Sequence, residues 1–103
     1  MTHKNDIQLL RGLSDILEKQ LELARHHDMA GVNRLLSQSE QLVVKIAAAD
    51  LLAGPEYAEW HNRLTDLYEE LQLVLSSRKD AVAAQIKLIN RGVKLLSAYK
   101  GNI

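Results

Sequence analysis

Cysteine is absent from the 103-residue chain, phenylalanine is absent, proline occurs once, and thirteen acidic residues cancel thirteen basic ones. Each lack removes a class of explanation. Without cysteine there are no disulfides, no thiol catalysis and no thiolate metal site. A reducing compartment suits such a chain. Zero net charge gives no pointer to nucleic acid. No apolar run approaches the ~20 residues of a membrane span. Met1-Thr2-His3-Lys4-Asn5-Asp6 opens no apolar signal segment. A cytoplasmic protein without stable membrane insertion is the default reading.

What is present favours helices. Leucine, alanine, glutamine, glutamate and lysine dominate, and all are strong helix formers. The β-branched residues never alternate over a strand's length. The fold expected is all-α, one domain spanning 1–103: an antiparallel hairpin packed on a long C-terminal helix, with helices at about 6–27, 29–50 and 56–99.

The first helix has a capping-box pattern at Asn5 and Gln8. Leu10, Leu13, Leu17, Leu21 and Ala24 recur at steps of three and four. The pattern stops at Arg25-His26-His27-Asp28, where Asp28 suits an N-cap for the second helix. That helix carries Val32, Leu35, Leu36, Leu42, Val43 and Ile46 on one face, interrupted by Ser39. Ala53-Gly54-Pro55 is the clearest punctuation, a stop followed by proline at a helix start.

The third segment is unusual. Trp60, Leu64, Leu67, Leu71, Leu75, Arg78, Val82, Ile86, Ile89, Val93 and Leu96 form one stripe with an average step of 3.6 residues, broken only by Arg78. An unbroken helix here is about 66 Å long, against roughly 33 Å for each of the first two. Its second half then projects with an apolar stripe and no partner in its own chain, which marks an interaction surface. The alternative is a closed four-helix bundle, with Ser77-Arg78-Lys79-Asp80 capping a fresh helix. Two serines without glycine are a weak break, so the continuous helix is the primary reading.

Charge divides the same segment. Residues 55–77 hold five acids and one base, a net of −4, whereas residues 78–103 hold six bases and one acid, a net of +5. Helix-dipole matching accounts for the ends. A basic amphipathic helix can also meet an acidic helix of a partner or a second copy of itself.

Candidates for chemistry are few. Glu22, His26, His27 and Asp28 offer metal-ligating groups, but no second ligand pair and no Glu-x-x-His spacing accompany them. His61 beside Trp60 and Glu59 is a lone acid–base candidate, but a lone histidine on a helix is more often structural. Ser76 and Ser77 lack a histidine partner, and no phosphate-binding glycine loop exists. A bundle enzyme or phosphorelay domain is the weakest reading. No cofactor, metal or catalytic residue is assigned. A membrane-surface helix ranks below protein binding because tryptophan and phenylalanine anchors are missing from the basic half.

The chain resembles the FlgN-type flagellar export chaperones. The likeness rests on the first helix ending at Ala24-Arg25-His26-His27-Asp28, on Val32-Asn33-Arg34-Leu35-Leu36-Ser37-Gln38-Ser39-Glu40-Gln41-Leu42, and on Ile89-Asn90-Arg91-Gly92-Val93-Lys94-Leu95-Leu96-Ser97-Ala98-Tyr99-Lys100-Gly101. The resemblance implies a non-enzymatic cytoplasmic chaperone. It would hold the C-terminal helical segment of hook-filament junction proteins and deliver it to the type III export apparatus. By position, the partner-binding residues become Val82, Ile86, Ile89, Val93, Leu96 and Tyr99. Arg78 and Gly92 make the stripe imperfect, which would help release. The competing reading is a helical adaptor or structural protein that self-associates, as a homodimer, through the same stripe.

Overall fold

The computed structural model describes residues 2–79 and 81–100, with the side chains of residues 5–79 and 81–96. Among the described residues there are four α-helices and no strand: α1 (Thr2–Arg25), α2 (Met29–Ala48), α3 (Ala58–Ser76) and α4 (Ala83–Lys100). The helical bundle expected from composition is present. The continuous C-terminal helix is not. α3 stops at Ser76 and α4 starts at Ala83. The molecule's longest extent is 41 Å, too short for a helix of about 66 Å. The closed four-helix alternative is the one the chain adopts.

The first turn follows the local sequence closely. The Asp28 carboxylate accepts from the Gly31 backbone N–H at 2.8 Å, as an N-cap should. Just before it, His27 adopts a left-handed φ of 63°. The Asp28 N–H bonds the Leu23 carbonyl at 2.8 Å and the His27 N–H bonds that of Ala24 at 3.1 Å. These two bonds are a Schellman closure, with histidine where glycine is usual. At the other end α1 already runs from Thr2, so Asn5 lies inside the helix rather than capping it.

α1 packs against α2 and α3, and α4 packs against α2 and α3. α2 and α3 therefore sit on a diagonal. The connection between them is long enough to cross the bundle end. It comprises two short 3₁₀ turns, Leu51–Ala53 and Pro55–Tyr57, and buries Leu51, Leu52 and Tyr57 as a plug. Like-directed helices are then side by side. Arg63 pairs with Glu18 and Arg25 with Glu70 across α1 and α3, both with a sequence separation of 45. Such exposed pairs add little stability, but they mark a parallel register.

The core is a leucine seam. Leu10, Leu13, Leu17, Leu21 and Ala24 of α1 are buried as expected, facing Val32, Leu36, Val43 and Ile46 of α2. Ser39 is buried within that face and donates to the Leu36 carbonyl at 3.1 Å, so its hydroxyl is satisfied inside its own helix.

Candidate partner-binding surface

α4 carries the residues singled out for partner binding, and the fold divides them. Ile89 and Leu96 are buried at 1% exposure. Ile86 and Val93 are half-buried and pack against the core. Val82 precedes the helix and is 56% exposed. The side chain of Tyr99 lies outside the described residues. The stripe that was expected to project unpartnered is thus folded back onto α2 and α3, because the break at 77–82 lets α4 reverse direction.

The buried seam also differs in composition from the expected stripe. In α3 and the turn before it, Tyr57, His61, Leu64, Tyr68, Leu71 and Leu75 are buried in one row, with Thr65 buried beside it; among the described side chains of α4 the buried row is Gln85, Ile89, Gly92 and Leu96. Their steps alternate between four and three, the heptad pattern of left-handed helix packing. A search for apolar residues slides instead onto Trp60, Leu67, Ile86 and Val93, which flank the seam. The signal for His61, Tyr68, Gln85 and Gly92 lay in the 4–3 alternation, not in hydrophobicity.

Each unexpected seam residue has a task. Gln85 donates to the Met29 carbonyl at 3.0 Å and accepts from the Val82 N–H at 3.3 Å, tying the start of α4 to the start of α2. His61 Nε2 lies 2.8 Å from the Leu96 carbonyl, tying α3 to the far end of α4. His61 is a packing residue with its ring nitrogen engaged, not an open acid–base group. At Gly92 a Cβ would lie 2.5 Å from the Tyr68 ring, so glycine is there to admit the tyrosine. That replaces the idea that Gly92 weakens a docking stripe. Burial, and secondarily the charge of Glu40, pushes the Tyr68 phenol well above its ordinary value.

Polar contacts complete the docking of α4. Gln72 donates to Asn90 at 2.6 Å from α3, and Arg91 pairs with Glu40 of α2 at 3.0 Å. Lys87, Asn90, Arg91 and Lys94 form the outer face of the helix. Lys87 and Lys94 make no ion pair among the described residues. Arg78, read from sequence as a defect in the stripe, is a brace. It donates to the His27 ring at 2.9 Å and to the Arg25 carbonyl at 3.2 Å, joining the α3–α4 linker to the α1–α2 turn.

Magnitudes rank the helices. Burying a leucine or isoleucine gains about 1.5–3 kcal/mol. α1 fully buries three leucines, with Leu21 close behind, while the described side chains of α4 include one fully buried isoleucine and one fully buried leucine. The described part of α4 is therefore held by less apolar burial than α1, supplemented by hydrogen bonds to α2 and α3. A second apolar feature lies beside it: an open groove of about 560 Å³ between α2 and α4, lined by Leu36, Val44 and Leu88 with Asn33, Glu40 and Lys45. Sequence reading missed it because its three apolar residues come from two helices. Leu73, 71% exposed near the end of α3, was missed for the opposite reason: it lies off every stripe.

The family model for flagellar protein FliT matches residues 7–102. The chain belongs to the FliT family. This is a flagellar export chaperone family, and its chaperones bind flagellar proteins. The FlgN resemblance is corrected accordingly: FlgN-like proteins are a related chaperone family, not the one that matches. The correction has a plain cause, since the residues quoted for the resemblance lie in amphipathic helices with no sharp motif. No curated protein and no solved structure is significantly similar to the chain. Among the described residues no helix is long and apolar enough to cross a membrane, and no three His, Asp or Glu side chains gather as a metal cluster. Asp28 caps α2 and His27 receives Arg78, so two of the four metal candidates have other work.

Proposed function

We propose that the chain is a cytoplasmic export chaperone that acts by binding rather than catalysis, and that α4 is its substrate-binding element. In the closed bundle the useful part of α4 is turned inward. Binding then requires α4 to undock at the 77–82 linker and to present Ile89 and Leu96, flanked by Ile86, Val93 and Val82, to a partner helix. The observation that carries this reading is the weak anchoring of the described part of α4: two fully buried aliphatic side chains, a glutamine and a glycine along its seam. An amphipathic helix of the substrate would supply to the opened seam the apolar contact that α2 and α3 supply in the closed form.

The partner is a helical segment of an exported flagellar protein, with acidic residues beside its apolar face to meet Lys87, Arg91 and Lys94. The narrower assignment to hook-filament junction proteins came with the FlgN resemblance and does not travel with the FliT match. Delivery to the type III export apparatus follows from the export role.

A short bis-maleimide linking Gln72→Cys to Asn90→Cys tests the opening, since these side chains touch across α3 and α4 and the chain has no cysteine of its own. Calorimetric titration with C-terminal helical peptides of exported flagellar proteins should show binding before cross-linking and at least tenfold weaker binding after it. Equal affinity in the locked form refutes the opening. It favours instead a substrate seated on the closed surface, for which the α2–α4 groove around Leu36, Val44 and Leu88 is the apolar site at hand.

A further inference from the structure

The four helices form two layers of opposite charge. Over their described side chains, α1 and α3 carry eight acids and four bases, a net of −4. α2 and α4 carry five bases and one acid, a net of +4. The single acid of the basic layer, Glu40, is held by Arg91. Arg34, Lys45, Lys87 and Lys94 make no ion pair among the described residues. The basic layer also holds the open apolar groove. α2 and α4 run parallel there, since Gln85 meets Met29 at the start of α2 and Arg91 meets Glu40 further along. Asn33, Ser37, Glu40 and Val44 recur at helical spacing along the α2 wall, and Leu88 faces them from α4. That wall is about three turns long, roughly 17 Å. Val44, 42% exposed, is one of three large apolar side chains so exposed among the described residues. Lys45 stands beside it.

We infer that the α2–α4 groove is a docking site of the closed bundle for an acidic amphipathic helix of a partner protein other than the export substrate. The helix lays its apolar stripe on Leu36, Val44 and Leu88 and sets its carboxylates against the basic rims. Two parallel helices with an apolar furrow between them seat a third helix. The charge of the layer selects an acidic one and speeds its encounter. A second copy of the chain does not supply such a helix. Its acidic layer, α1 and α3, has Leu73 as its one exposed large apolar side chain among the described residues, so it offers charge without an apolar row. The groove exists only while α4 is docked, because Leu88 comes from α4 and the opposite wall from α2. The site itself stands without the opening proposed above. Its consequence rests on that reading: if substrate binds after α4 undocks, the groove partner holds the chaperone shut. Partner and substrate then weaken each other's binding by the same factor.

A designed fluorescent peptide of about four helical turns tests the site, with leucines at steps of three and four and glutamates on both flanks. Anisotropy should show it binding the full chain, and binding Val44→Glu at least tenfold more weakly. Val44→Gln removes the apolar contact without adding charge and should weaken it severalfold. Position 44 is exposed, so the melting of both variants should stay close to that of the parent. The same peptide with lysine for every glutamate should bind at least tenfold more weakly. The form locked by the Gln72→Cys to Asn90→Cys cross-link should bind the acidic peptide at least as tightly as the unlocked chain. Equal binding to Val44→Glu and the parent, or loss of binding on locking, overturns the site. A self-association that Val44→Glu dissolves would seat a second copy in the groove and overturns it as well. In the unlocked chain, saturating acidic peptide should weaken calorimetric binding of the flagellar helical peptide at least fivefold. Unchanged substrate binding overturns the antagonism. Substrate binding that locking leaves intact overturns the opening instead, and the acidic peptide's response to Val44→Glu still decides the groove.

Discussion

The two hairpins of this molecule are turned by different means. Between α1 and α2 the chain reverses within three residues, through a left-handed His27, a Schellman pair of hydrogen bonds and the Asp28 cap. Between α3 and α4 it takes six residues, and the reversal is braced from outside by Arg78 reaching the first turn. The seams differ in the same sense. α1 buries Leu10, Leu13, Leu17, Leu21 and Ala24 with two polar residues, Ser14 and Gln20, among them, whereas the described part of α4 buries Gln85, Ile89, Gly92 and Leu96. A hairpin with its own turn and a mainly aliphatic seam is a fixed platform. One whose turn and seam both depend on neighbours is the part that can be released.

The strongest way to break this contrast is to damage the platform. Leu17→Ala should cost about 2–5 kcal/mol, and amide exchange should show all four helices losing protection together. If α4 alone loosens, the division of labour is wrong. Gly92→Ala comes next. A Cβ would sit 2.5 Å from the Tyr68 ring, so overpacking of about 1–3 kcal/mol is expected, with faster exchange concentrated in α4. Pairing it with Tyr68→Leu should cost less than the sum of the two single changes, read from urea midpoints in a double-mutant cycle.

Asp28→Ala and Arg78→Ala compare the two turns directly. Loss of the cap should cost about 1 kcal/mol and be felt at the start of α2. Loss of the brace should cost a similar amount, about 1 kcal/mol, but should raise exchange at residues 26–28 and in α4 as well. An effect of Arg78→Ala confined to its own linker would show that the second hairpin does not lean on the first.

The smallest effect concerns pH. Tyr68 has its phenol raised above the ordinary value of 10.0 by burial and then by Glu40. Tyr57 is raised by burial, then by Asp6 and Glu56. A group whose pKa is raised on folding contributes stability that is complete below its unfolded value. That stability fades as pH climbs beyond it. Urea midpoints should therefore hold up to about pH 10 and fall above it. Tyr68→Phe should flatten the fall, leaving the part due to Tyr57. An identical slope in the variant would show that Tyr68 ionises as freely folded as unfolded.

The sequence made some of this legible and hid the rest for physical reasons. Leu10, Leu13, Leu17, Leu21 and Ala24 could be read because apolar periodicity and burial coincide there; the buried Ser14 and Gln20 of the same helix could not. Asp28 could be read because a cap is a local interaction, and Gly54-Pro55 because it is local punctuation. The break after Ser76 could not. Ser77 to Val82 contains ordinary helix-compatible residues, and the apolar stripe resumes after Arg78 in the same register. His61, Gln85 and Gly92 were not placed on the seam because histidine, glutamine and glycine carry no hydrophobic signal. Their burial is decided by the partners across the seam: the Leu96 carbonyl, the Met29 carbonyl and the Tyr68 ring. Of the six residues expected to bind a partner, the fold places Ile89 and Leu96 inside, Ile86 and Val93 at the edge and Val82 outside.

By itself the sequence determined that this chain is helical, where its first turn falls and its second helix begins, which apolar residues of α1 are core, and that its C-terminal segment is basic and amphipathic. These properties depend on residues within a turn or two of one another. Only the tertiary structure decided that the C-terminal third folds back, that α2 and α3 face each other across a diagonal, and that the seam passes through histidine, tyrosine, glutamine and glycine. Those outcomes depend on free energy gained between helices far apart in sequence: a carbonyl met by an amide, and a ring admitted where a Cβ is missing.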